Sequence, residues 1–303
     1  NSGTRSQKQR DVGMLMDKYA THAESTEVLM LGNNIYGPNL FDHLDFVDSF
    51  EEPYRRLLKR GVCFHALLGH EDQGYADVQL QYAPFNMYGQ RYYSRTFDQG
   101  LVEVFMLDSE HLRDPNRGIE ANEQLAWLDE ALARSRATWK IVGLYRSLSS
   151  NVRDAHVDQA LMAELLPIFD RYSVNVVAWA GGTWYERSQL DGHQAVFFNA
   201  GWSGTKENVS LNPETPSLDM FNDERPGFLV MDFTPESIHF TAINDKRVVK
   251  DEGVIAHDGQ VETLGGETEI EQETDLATDE SDEPAIAPKA LSTETTLDAA
   301  PDK

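Results

Sequence analysis

Residues 139–150 read WKIVGLYRSLSS: a short run of buried-strand character, a glycine at 143, then a polar loop. The same arrangement recurs at residues 27–31 (EVLML, then Gly32), 62–68 (VCFHALL, then Gly69) and 174–180 (VNVVAWA, then Gly181). Apolar runs that stop at a glycine predict buried strands, and helical patterns fall among them. Residues 5–20 carry Val12, Leu15, Met16 and Tyr19 at helical spacing; 119–134 carry Leu125, Leu128 and Leu132 on one face. Residues 156–172 predict a further helix and 42–59 are helical in part. Residues 92–97 and 101–107 predict a hairpin around Asp98, Gln99 and Gly100, with shorter strands at 194–198, 227–233 and 237–243. This alternation predicts an α/β domain, with a mixed sheet or two stacked sheets and helices outside. Ligands of such sheets bind at the carboxyl ends of the strands. If the four glycine-bearing loops are neighbours, Asn33, Tyr36, His70, Glu71, Asp72, Leu144, Arg146 and Trp184 face one crevice.

Charge sets the expected domain edge. The 303 residues carry 51 Asp and Glu against 26 Lys and Arg, a formal net charge of -25. No basic face is left for nucleic acid or anionic lipid. Residues 251–303 hold 16 acidic residues, 2 lysines and no aromatic side chain, which predicts a disordered acidic tail behind a domain at residues 1–250. Cys63 is the only cysteine, so disulfides within the chain and Cys-rich zinc sites are excluded. No apolar run reaches the roughly 20 residues that a membrane span needs. Lacking a Met or a signal peptide, the start at Asn1 is expected to be a processed or truncated end.

Six blocks in order carry a resemblance: LGNNIY (31–36), FHALLGHEDQG (64–74), FMLDSEHL (105–112), QLAWLDEAL (124–132), WKIVGLYRSLSS (139–150) and VVAWAGGTWYERS (176–188). Over most of residues 1–245 the chain resembles the calcineurin-like metallophosphoesterases of the tartrate-resistant (purple) acid phosphatase type. The resemblance implies a four-layer α/β/β/α sandwich of two mixed sheets, here without its first strand. It also implies an acid phosphatase (phosphoric monoester hydrolase) activity. The family's di-metal centre, Fe with Zn, Mn or Fe, activates a bridging hydroxide and stabilises the charge on the phosphoryl oxygens.

Most of the ligand positions that the resemblance implies are substituted. Asn33 stands at the bridging aspartate, while the tyrosine ligand is kept as Tyr36. His70 replaces an asparagine ligand, Glu71 replaces the catalytic histidine, and Asp72 is retained. Leu144 occupies a histidine position, followed by Tyr145 and Arg146 in place of His-Pro. The last block has no histidine in either register, whether Gly182 and Trp184 or Gly181 and Thr183 hold the ligand positions. The first block, D-x-G, is expected just before Asn1.

Leucine, glycine and tryptophan donate no electron pair to a metal, so no metal or other cofactor is expected; Tyr36, His70 and Asp72 are the weak metal candidates. Arg146 is expected to neutralise Glu71 or Asp72, with Leu144 and Trp184 filling the vacated volume. Asp108 with His111, and Ser147 with Ser149 and Ser150, are read as loop or capping residues, and residues 185–187 as strand pairing. The function expected is that of a degenerate, catalytically inactive pseudophosphatase that binds or scaffolds an unknown protein or a small phosphorylated ligand. The alternative is a metal-dependent phosphomonoesterase with a rebuilt site, in which Tyr36 and Asp72 orient the ligand and Glu71 acts as base. A third reading is an altered copy of an active phosphatase with no role of its own.

Overall fold

In the computed structural model of the chain, the described residues are 2–23, 27–37, 43–113, 119–153, 155, 157–204, 209–212, 218–222, 225–265 and 268–269. The chain divides into Asn1–Ile270 and Glu271–Lys303, and the second unit lies outside the described residues. In chain order the first unit runs α1 (Gln7–Ala23), β1 (Glu27–Met30), α2 (His43–Phe46), α3 (Arg55–Lys59), β2 (Cys63–Ala66), α4 (Ala76–Gln81), β3 (Tyr93–Phe97), β4 (Val102–Met106), α5 (Ser109–Arg113), α6 (Ile119–Arg134), β5 (Trp139–Gly143), α7 (Gln159–Arg171), β6 (Val176–Trp179), β7 (Tyr185–Gln189), β8 (Val196–Ala200), β9 (Leu218–Asn222), β10 (Gly227–Phe233), β11 (Ile238–Asn244), β12 (Val248–Ile255), β13 (Val261–Thr263) and β14 (Thr268–Glu269).

The largest sheet has the order β3-β4-β5-β6-β8-β7-β9, with β4, β5, β6 and β8 mutually parallel. Its strands alternate between two cores, as the twofold period of a strand requires. Val104, Ile141, Val176 and Phe198 point to an inner core shared with Phe64 of β2 and with Phe240 and Ala242 of β11. Phe105, Val142, Val177 and Phe197 point the other way, onto Leu128 and Leu132 of α6 and Leu161, Leu165 and Phe169 of α7. Burying each such side chain contributes about 1.5–3 kcal/mol. Across the inner core lie the parallel pair β1-β2 and the antiparallel sheet β10-β11-β12-β13, to which β14 adds on β12. Val12 and Leu15 of α1 cover the outer side through Phe228 and Ile243. The layers are therefore helix, sheet, sheet, helix.

Two of the boundaries that differ from those expected have a clear physical cause. Helix α7 starts at Gln159 because Asp158 caps it, accepting a hydrogen bond from Leu161 N at 3.0 Å. The expected domain edge after residue 250 falls inside β12. Asp251 is buried there against Arg187 Nε at 2.7 Å, so a charge that reads as tail composition is part of the core. Residues 261–263 and 268–269 extend the same sheet. The rest of the expected tail, from 270 onward, lies outside the described residues.

Candidate functional site

Strands β1, β2, β4, β5 and β6 all point their carboxyl ends toward one region, and the four glycine loops meet there. Gly32 has φ +91, and a Cβ on it would lie 2.7 Å from Gly69 Cα and 3.0 Å from the Tyr145 ring. Only glycine permits that approach of the first two loops. A Cβ on Gly181 would lie 2.9 Å from Tyr145 O, which brings the β6 loop against the β5 loop.

Asn33 sits at the centre, buried and in the left-handed region at φ +53, where asparagine is tolerated. Its Nδ2 donates to Tyr36 Oη at 3.0 Å and to Tyr145 Oη at 2.8 Å, and its Oδ1 accepts from Glu71 N at 3.0 Å. Burial pushes the Tyr145 phenol well above its ordinary pKa, and neighbouring Tyr36 adds to the shift. The Tyr145 hydroxyl therefore remains neutral beside the amide.

His70, Glu71 and Asp72 diverge. Asp72 is fully buried and accepts from Gly69 N at 2.8 Å, Asn34 N at 3.0 Å, Ile35 N at 3.3 Å and Gln79 Nε2 at 2.8 Å. Burial raises its pKa even against these four donors. It fastens the first loop to the second. Glu71 and His70 are exposed, and His70 Nδ1 lies 3.2 Å from Glu110 Oε2.

Two expectations fail here. Arg146 pairs with neither Glu71 nor Asp72. Its guanidinium grips Glu110 of α5 in a bidentate pair, through Nε and through Nη2 at 2.8 Å, with His70 Nδ1 at 3.4 Å. Ser109 Oγ fixes this loop by accepting from Tyr145 N and Arg146 N at 3.2 and 3.0 Å. Nor does Leu144 fill the crevice: it belongs to the helix-side core with Val142. Strand parity put it there, and the same parity turns Tyr145 inward with Ile141.

Trp184 packs on its own loop after β6. Its ring lies over Gly182, where a Cβ would meet it at 2.4 Å. The indole Nε1 donates to Glu186 Oε2 at 3.0 Å. Fully buried Glu186 also accepts from Asn151 N at 2.7 Å, Asn151 Nδ2 at 2.8 Å and Ser150 Oγ at 2.8 Å. Thr183 is half-buried beside them. Asp108 caps α5 through His111 N at 3.3 Å and pairs with Arg91 at 2.9 Å.

Sequence reasoning missed Tyr145, Glu110 and Glu186 as members of this cluster. Parity along β5 was a usable signal for Tyr145. Nothing local marks Glu110 or Glu186, because each is defined by partners about 36 residues away. Among the described residues, no three His, Cys, Asp or Glu side chains converge to hold a metal ion.

The PhoD-like phosphatase family matches residues 75–204. No curated protein sequence matches the chain. Among solved structures, GAP50 of Plasmodium, described as the anchor in the inner membrane complex, aligns with a TM-score of 0.70 at 14% identity, over 88% of this chain and 87% of that one. Purple acid phosphatase PPD1 of yellow lupin gives 0.62 at 15% identity, over 84% and 48%. PhoD gives 0.61 at 14% identity, over 86% and 69%. Similarity at these identities establishes the fold.

Proposed function

We propose, for a chain that is a calcineurin-like metallophosphoesterase in fold, that it is a non-catalytic pseudophosphatase acting as a protein-binding or scaffolding module. One observation carries this reading: the amide of Asn33, held between Tyr36 and Tyr145, occupies the meeting point of the loops. A pair of divalent cations needs several anionic or imidazole donors to offset its lost hydration. Here the groups at the centre are one amide and two phenol side chains. The buried carboxylates of Asp72 and Glu186 are held by N–H and O–H donors of the protein itself. These residues do not fit a di-metal centre. A phosphate ester finds little charge to bind either, since Arg146 is neutralised by Glu110 and Arg91 by Asp108. That favours a protein partner over a small phosphorylated ligand, and GAP50 is an instance of this fold described as an anchor.

The second reading is a phosphomonoesterase with a rebuilt site, and the exposed contact of His70 with Glu110 speaks for it. Both are tested by loading the protein with manganese, zinc or iron, dialysing it, and measuring metal content and p-nitrophenyl phosphate turnover. The pseudophosphatase reading expects substoichiometric metal and no turnover. One or two ions per chain with chelator-sensitive turnover would establish the enzyme instead.

A further inference from the structure

Seven large apolar side chains are exposed among the described residues, and four of them, Leu44, Tyr75, Val78 and Tyr88, fall on α2, α4 and the turns around α4. Exposed apolar groups that collect on one part of a surface mark an interaction site, whereas single scattered ones do not. Burial defines the two sides of α4: Ala76, Gln79 and Leu80 face the core, while Asp77, Val78 and Gln81 face outward. Tyr82, directly after α4, stacks on Phe46 of α2 at 4.0 Å between ring centroids and donates to Glu51 Oε1. That stack holds α2, with Leu44 63% exposed, beside the end of α4.

The turn after α4 folds back on the helix, with Gly89 N donating to Leu80 O at 2.9 Å. It presents Tyr88 at 70% exposure in the left-handed region, φ +53, which a bulky side chain rarely adopts. The ring is nevertheless held in place. Its Oη donates to Asn86 Oδ1 at 2.9 Å, and Asn86 Nδ2 donates to Phe64 O of β2 at 2.9 Å. The Arg95 guanidinium lies 4.8 Å from the centroids of both the Tyr88 and the Tyr93 rings, which joins the exposed ring to a buried one. A side chain that is already fixed loses little freedom when a partner covers it. Tyrosine and arginine are also the residue types that dominate binding energy at protein interfaces.

Charge selects the partner. Residues 19–54 and 61–90 contain no Lys or Arg. Asp48, Glu71 and Asp77 are exposed, and none of them has an ion-pair partner among the described residues. A second copy of this chain, with its net charge of -25, would set like charge against like, and anionic lipid would be repelled in the same way. We propose that α2, α4 and the Tyr88 turn form a docking surface for a basic amphipathic helix of a partner protein. Its apolar side chains cover Val78 and Tyr88, and its Arg or Lys side chains meet Asp48, Glu71 and Asp77 and stack on the Tyr88 ring. Glu71 aside, the surface lies outside the loop crevice and stands whether or not those loops bind metal.

The test titrates the full chain with a labelled helical peptide, Arg-Leu-Ala-Lys-Leu-Ala-Arg repeated twice, and with a counterpart carrying Glu at every basic position. Fluorescence anisotropy reads the affinity and hydrogen exchange locates the contact. The expected result is binding of the basic peptide alone, with exchange slowed at residues 76–82 and 86–90. Tyr88→Gly together with Val78→Ser is expected to weaken binding by about tenfold or more. Tyr88→Gly by itself is expected to keep the urea midpoint of the parent, because glycine adopts φ +53 without strain. If that midpoint falls, the exposed charge reversal Asp77→Lys decides in its place, and parent-like affinity in it overturns the proposal. Parent-like affinity in the double variant, slowed exchange confined to residues 251–303, or binding of neither peptide also overturns it. Binding of both peptides alike overturns the charge selection on which the partner's identity rests.

Discussion

Asn33 is a single amide that donates to two phenols and accepts from the Glu71 backbone. Replacing it tests whether one atom type closes the crevice to metal. Asn33→Asp fits the local backbone, since aspartate tolerates φ +53 as asparagine does. Glu71 N still donates to it, and the two tyrosine hydroxyls rotate from acceptors to donors. Stability is expected to change by less than about 1 kcal/mol in chemical denaturation. Metal content after a manganese or zinc soak is expected to stay at the parent level, because Tyr145 and Trp184 still supply no strong ligand. A pair of ions bound by the variant would show that the amide alone was the obstacle.

Among the elements, β7 and β12 are joined by the most buried charge pair of the inner core. Asp251 Oδ2 accepts from Arg187 Nε and from Tyr185 Oη, each at 2.7 Å, and the Arg187 guanidinium lies over the Phe240 ring at 5.2 Å. This contact ties the seven-stranded sheet to the sheet behind it. Removing one partner leaves an uncompensated buried charge, so Asp251→Ala is expected to lower stability by about 3–5 kcal/mol. Adding Arg187→Met removes the stranded cation and is expected to recover much of that loss. Urea unfolding of both variants checks this, and a loss below about 1 kcal/mol for Asp251→Ala would mean that the pair does not hold the sheets together.

For the whole molecule, buried phenols set the alkaline limit. Burial raises Tyr54 to about 12 and pushes Tyr93, Tyr145 and Tyr185 above the ordinary tyrosine value as well. Each folded pKa exceeds its unfolded value near 10, so the folded chain holds protons that the unfolded chain releases. Their contribution to stability is whole below pH ~10 and declines as the pH climbs toward the folded values. Thermal midpoints are expected to fall from about pH 10 upward, with phenolate absorbance at 295 nm from these residues rising together with unfolding. Full phenolate absorbance in a still-folded protein would contradict it.

The layered α/β architecture was legible in the sequence because runs such as EVLML and WKIVG carry their burial in their own composition, and glycines 32, 69, 143 and 181 punctuate them. That Asn33 and Leu144 stand at ligand positions which the resemblance implies was also legible, since it needs only residue identities. Tertiary structure alone decided which groups face one another. Leu144 turned away and Tyr145 inward by strand parity, Arg146 chose Glu110 of a neighbouring helix, and Asp251 became core through Arg187. Composition counts a charge the same way wherever it sits; whether that charge is solvated or paired depends on elements distant in sequence, and only the folded chain brings them together.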